Sequence, residues 1–234
     1  MPKSSQVKNL SVGFQDKPNI VSYAITKLPS IVPHLETLTI SSMDERINAP
    51  IVADKFFHLK YLKIFLFIDY HRFPTAYDYL SLVSFLDASL LETFILSTSV
   101  MKHDSVSWDA SLTRQIPERK HDRLKKVHIN GFFAAKSIVE LTCHILENAT
   151  SLESITLDTI YNLKEDGNIS RCSVGGKGEC RRIRRDLVLE AHKASWVVKK
   201  YILARVPSTV KLNVGEPCSR CHAIGAKALR LCNI

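Results

Sequence analysis

A triplet of apolar residues, spaced apolar-x-x-apolar-x-apolar, recurs along this chain and limits what it can fold into. It reads Val7-Leu10-Val12, Leu35-Leu38-Ile40, Leu59-Leu62-Ile64, Leu91-Phe94-Leu96, Leu124-Val127-Ile129 and Leu152-Ile155-Leu157. Counted between first positions, the steps are 28 (7 to 35), 24 (35 to 59), 32 (59 to 91), 33 (91 to 124) and 28 (124 to 152). A further triplet, Thr209-Leu212-Val214, lies 57 residues on, close to two average steps. The second and third members are two residues apart, so in a strand they share one face. A single unit of this size cannot bury that face. Stacked units bury it jointly and leave the opposite strand face open.

The segments between triplets have helical period. Residues 19–28 put Ile20, Tyr23, Ala24 and Leu28 on one stripe, with Pro29 expected to stop the helix. Residues 78–88 do the same with Tyr79, Leu82, Val83 and Leu86, and residues 137–149 with Ile138, Leu141, Ile145 and Ala149. Ser137 and Glu140 fit a capping box at the start of the last of these. Residues 184–206 read as one long helix striped by Leu187, Ala191, Ala194, Val198 and Tyr201, ended by Pro207. Strand, turn and amphipathic helix in repetition predict an α/β leucine-rich-repeat solenoid: an irregular horseshoe of parallel strands with helices on the outer side. Units of about 20–29 residues carry the same L-x-x-L-x-L core. The usual asparagine at the strand exit is absent; Met43, Phe67, Ser99, Phe132 and Ile160 occupy that offset. Other contacts are expected to satisfy those turns.

The organisation follows. Residues 1–158 form the repeat region. Residues 159–183, with Gly167, Gly175, Gly176 and Gly178 among charges, read as a flexible insertion. Residues 184–234 supply a capping helix, a strand and a cysteine-containing tail.

Hydrophobic residues make up 45% and charged residues 24%, an ordinary globular balance. No run approaches the roughly 18 apolar residues of a spanning helix, and the N-terminal residues lack a signal-peptide apolar core. The expectation is a soluble protein of the cytoplasm or nucleus, without a membrane partner, whose six cysteines are mostly reduced thiols. The net charge of +9 points toward acidic or phosphate-bearing partners, and Arg181, Arg182, Arg184 and Arg185 are the anion-binding candidates. They read either as a solvated helix start or as a nucleic-acid patch.

Catalytic and cofactor motifs do not emerge. Gly175-Gly176-Lys177-Gly178 lacks the G-x-x-x-x-G-K-[ST] spacing of a phosphate loop. Cys218-Ser219-Arg220-Cys221-His222 spells a haem-attachment motif that belongs to exported proteins. Cys172, Cys180, Cys218 and Cys221 have the thiolates of a zinc site, but only one pair has ligand spacing, so ordinary thiols are the simpler reading. No triad spacing appears, and Cys143 reads as a small core residue. The expectation is a protein without catalytic residues, metal or cofactor.

Function is then sought on the outward strand positions. Tyr61, Phe65 and Ile95 would form an apolar patch flanked by Lys63, Lys126 and His128, an aromatic anchor with a polar rim of the kind that binds protein. Phe65 has a second reading, burial beneath the loop of residues 67–77. Lys63 and Lys126 favour exposure, since burying an unpaired ammonium is costly.

The order of certain motifs carries a resemblance. Residues 124–132 (Leu124-Lys125-Lys126-Val127-His128-Ile129-Asn130-Gly131-Phe132), the helix ending Ile145-Leu146-Glu147-Asn148-Ala149, and Leu152-Glu153-Ser154-Ile155 resemble the repeat region of plant F-box/leucine-rich-repeat proteins of the FBD-associated type. The tail from Val206 to Val214, then Pro217-Cys218-Ser219-Arg220-Cys221, is similar to the ending of the same family. The resemblance implies a substrate receptor of an SCF-type ubiquitin ligase, in which an F-box docks an adaptor and the repeats hold the target. Leu28-Pro29-Ser30 resembles an F-box start but runs directly into the Leu35 strand. An SCF adaptor is therefore expected as a partner only if a longer form supplies the F-box. The repeat region is expected to recognise an unidentified protein target, with nucleic acid, or a fragment without independent function, as the alternatives.

Overall fold

The computed structural model describes residues 7–13, 17–43, 45, 47–49, 55–68, 77–100, 114, 119–161, 183–218 and 222. Each apolar triplet ends in a short strand: β1 (Asn9–Gly13), β2 (Thr37–Ser42), β3 (Tyr61–Ile68), β4 (Thr93–Val100), β5 (Lys126–Asn130), β6 (Ser154–Asp158) and β7 (Lys211–Gly215). They pair in parallel and in sequential order, β1 to β7, as one seven-stranded sheet. The register follows the triplets. Leu10, Leu38, Leu62, Phe94, Val127, Ile155 and Leu212 lie in one line, and Val12, Ile40, Ile64, Leu96, Ile129, Leu157 and Val214 in the next. From β2 to β6 both lines are buried, each side chain at 3% exposure or less. Such burial contributes about 1.5–3 kcal/mol per aliphatic side chain, which is why a slip of one residue is not tolerated.

The helices cover the inward face. They are α1 (Ile20–Ile31), α2 (Val83–Leu86, entered through a tight turn at Tyr79–Leu82), α3 (Lys136–Asn148) and α4 (Arg185–Val197). Across the 57-residue interval β7 pairs directly with β6. The sequence expectations need correction at several points. Pro29 does not stop α1; it lies buried inside the helix, which closes at Val32 N–H to Leu28 O, 2.8 Å. A proline in the last turn removes a single amide donor, and the burial of Leu28 and Pro29 offsets it. The segment 78–88 winds as a 3₁₀ turn with one α turn, its start held by the Asp78 carboxylate accepting from Leu80 N–H. The 184–206 helix changes pitch, to a π turn at Val198–Ile202 and a 3₁₀ turn at Leu203–Arg205.

The capping box is also overturned. Helix α3 starts at Lys136, with Ala135 at the cap and no side-chain bond there. Glu140 is drawn away by Arg114, whose Nε and Nη2 donate to its Oε2 at 3.0 and 2.7 Å. The same guanidinium grips Asp78 through Nη1 and Nη2, at 2.6 and 2.8 Å. A charged bidentate pairing outcompetes a bond from a neutral backbone amide. Long-range capping replaces local capping at α1 as well. Glu45 Oε1, buried, accepts from Val21 N–H at 2.8 Å, while Asn19, in left-handed backbone at φ 62°, accepts from Ile47 N–H at 2.9 Å. Burial pushes the Glu45 carboxyl upward, with its hydrogen bonds opposing.

Charges of alternating sign line the upstream end of the sheet. Lys8, Glu36, Lys60, Glu92, Lys125 and Glu153 directly precede the first six strands. Glu36 binds both Lys8 and Lys60 at 2.8 Å, and Lys125 meets Glu92 at 3.4 Å. Hydrogen bonding to Lys60 first, then Lys8, holds the Glu36 carboxyl down at about 2. At the downstream end, Gly131 sits at φ +86°, and an added Cβ would lie 2.0 Å from Thr98 O. Only glycine fits there. The Gly131 and Phe132 amides both donate to Asp158 O, so backbone takes over the role of the missing asparagines at this exit.

Candidate functional site

Alternation along seven registered strands builds the outward face. Its first row is Asn9, Thr37, Tyr61, Thr93, Lys126, Ser154 and Lys211; its second is Ser11, Thr39, Lys63, Ile95, His128, Thr156 and Asn213. In the third row Ser41, Phe65, Ser97, Asn130 and Asp158 are in register. The six residues nominated from sequence therefore meet in one block across β3, β4 and β5. Tyr61, Lys63, Phe65, Ile95 and His128 are half-buried, and Lys126 is exposed.

The block divides into two parts. On its downstream side the Lys63 ammonium lies 4.8 Å from the centre of the Phe65 ring, and Phe65 stacks on Phe67 at 6.3 Å and 5°. Tyr161, which follows β6, meets Phe67 edge-on at 5.9 Å and 87°. That contact reaches from β3 past β4 and β5. Ser97 and Asn130, outward by alternation, are at 0% and 2% exposure. Phe65 is half-buried, and whether the loop of residues 67–77 covers it falls outside the described residues. Phe65 is part of an aromatic wall that closes the downstream side. Upstream of the wall, the first two rows form the accessible face.

Electrostatics on that face are one-sided. His128 Nε2 pairs with Asp158 Oδ2 at 2.8 Å. Lys126 and Lys211 are exposed, and among the described residues neither has an ion pair. Asn213 Nδ2 donates to Thr156 Oγ1 at 3.3 Å, holding two polar groups of the face in place. Sequence reasoning did not carry Lys211 and Asn213 into the face, although the Thr209-Leu212-Val214 triplet already set their orientation. It also missed Asp158, the last residue of β6, and Tyr161 just after it, whose contacts with His128 and Phe67 span 30 residues of sequence or more and leave no local pattern.

The other candidates lie elsewhere. Arg184 and Arg185 open α4, where Arg184 Nε donates to Asp186 Oδ1 at 3.1 Å, and Asp186 holds the guanidinium charged while Arg184 pulls the carboxyl down. Arg181 and Arg182 lie outside the described residues, as do Cys172, Cys180, Cys221 and the Gly175–Gly178 run. Cys143 is buried in the core, its thiol pushed up to about 11 by burial, which makes it unreactive at neutral pH. Among the described residues no three His, Cys, Asp or Glu side chains gather as metal ligands. No described helix is long and apolar enough to cross a membrane.

A sequentially ordered parallel sheet, helices behind it and a polar strand face in front define a leucine-rich-repeat domain. The chain belongs to the family described as At1g61320/AtMIF1, LRR domain, whose family model matches residues 1–219. No curated protein and no solved structure matches it. Domains of this class are typically non-catalytic and work by protein–protein interaction.

Proposed function

We propose that this chain is a protein-recognition module that holds a partner on the first two outward rows of β3 to β7. The observation that carries the reading is the in-register block of Tyr61, Thr93 and Lys126 beside Lys63, Ile95 and His128. One aromatic residue, one aliphatic residue and a basic rim, set on a rigid sheet and bounded by an aromatic wall, have the make-up of a binding hot spot. The resemblance to F-box/leucine-rich-repeat proteins supports a finer version, in which the repeats select the substrate of an SCF-type ubiquitin ligase and a longer form supplies the adaptor-binding F-box. On this reading the protein works in the cytoplasm or nucleus.

The test is paired. Replacing Tyr61 and Lys126 together with alanine weakens partner capture and leaves thermal unfolding nearly unchanged. Capture that survives the double substitution, or unfolding that drops steeply, counts against the face. For the finer version, a full-length transcript product is assayed for adaptor binding, and the absence of any adaptor removes the ligase link alone.

A further inference from the structure

The partner chemistry is written in how the strands distribute charge. At the upstream end, the residues preceding the strands alternate in sign, and the first five of them pair through Lys8–Glu36, Glu36–Lys60 and Glu92–Lys125 contacts, while Glu153, the sixth, has no ion pair among the described residues. One residue further on, the balance is gone. The first two outward rows, seven positions each, hold Lys63, Lys126, Lys211 and His128 and not one carboxylate. Asp158, the acidic residue of the third row, is bonded to His128 rather than to a lysine. Around the lysines the face offers hydroxyl donors, among them Thr93, Ser154 and Thr156.

We propose, resting on the recognition reading above, that the occupant of this face is an acidic extended segment of a protein partner, carrying two carboxylates that seat on Lys126 and Lys211. Those two lysines share the first row with Ser154 between them, in register on β5, β6 and β7. Two strand spacings separate their backbones by about 9–10 Å. A polyproline-II segment brings side chains three residues apart onto one side at about 9 Å, so the spacing fits an acidic pair at positions i and i+3. Ser154, in register between the two lysines, offers a hydroxyl donor to either carboxylate. The Tyr61 and Ile95 side takes an apolar residue of the same segment, and the aromatic wall of Phe67 and Tyr161 confines it to the first two rows.

A random dodecapeptide library displayed on phage and selected on the full chain tests this. Selected peptides are expected to carry Asp or Glu pairs at i, i+3, to bind more weakly as salt rises, and to lose about tenfold or more in affinity against Lys126→Glu/Lys211→Glu. Their charge-reversed counterparts, with lysine for the acids, should bind that variant in preference. A milder Lys126→Gln/Lys211→Gln protein, checked by thermal unfolding, separates lost contact from lost fold. Peptides that are neutral or basic yet blocked by Thr93→Arg overturn the acidic assignment and leave the recognition face standing. Acidic peptides indifferent to the lysine reversal overturn it too. Peptides indifferent to Thr93→Arg, or none at all, remove the recognition reading with it. Stronger competition by single-stranded oligouridylate than by the acidic peptide moves the assignment to nucleic acid.

Discussion

The two faces of the one sheet are built to different rules, although the residues that form them alternate along the same strands. The two inward lines set by the triplets are Leu, Ile, Val or Phe in every strand, and from β2 to β6 they are almost wholly buried. Outward positions of the first two rows range from Asn9 to Tyr61 to Lys126, keep partial or full exposure, and follow no single residue type. Packing at interior density punishes the loss of a methylene inside, whereas an outward side chain changes few contacts when it changes identity. The inner face therefore accounts for stability, and the outer face is free to be selected for a partner.

The largest break in that contrast comes from the interior. Ile64→Ala, at 0% exposure between two buried neighbours in register, is expected to cost about 2–5 kcal/mol in denaturant unfolding. Gly131→Ala comes next. It forces a side chain into left-handed backbone and against Thr98 O, for a loss of about 1–3 kcal/mol from backbone strain before the clash is counted. If that variant unfolds like the parent, the tight exit of β5 is wrong.

Acid titration probes the helix layer behind the sheet. His121 and His144 are buried with their Nε2 atoms 3.1 Å apart, and Arg119, Asp122 and Glu147 are the charges that act on them. Burial, then the facing His144, pushes His121 down to about 4 from 6.5, and burial lowers His144 as well. The unfolded chain thus binds more protons between those values, so stability is full above pH 6.5 and falls as pH drops toward 4. Up to about 3 kcal/mol is expected to disappear across that window through His121, and His121→Gln should flatten the slope.

The smallest effects belong to exposed charge. Glu36 has a lowered pKa, so its contribution is present above the ordinary carboxylate value of 4.5 and is lost as pH falls through about 2. Because the carboxylate is exposed, Glu36→Gln should shift the melting temperature only slightly, and the difference should vanish at high salt. Lys126→Ala should leave unfolding within error of the parent. A large loss in either would erase the distinction between the faces.

Much of this was legible in the triplets. Leu62 and Ile64 pair with Leu38 and Ile40 on one side and Phe94 and Leu96 on the other, as period-two strand cores require. The outward block around Tyr61 and Lys126 followed from the same alternation. What stayed hidden depends on partners distant in sequence. Glu45 caps a helix that starts 25 residues before it, and Arg114 takes Glu140 from the local box that its spacing suggested. Tyr161, just after β6, meets Phe67 of β3 from far along the chain. Pairwise propensity and spacing carry no information about such meetings.

The division of labour between the faces is tested most directly by site-specific photocrosslinking in native extract. A benzophenone side chain is placed in turn at Thr93, on the outward face, and at Ser22, on α1 behind the sheet. The account predicts one reproducible protein adduct from position 93 that is absent from position 22 and is suppressed by Lys126→Glu/Lys211→Glu. Adducts formed from position 22 alone would contradict it.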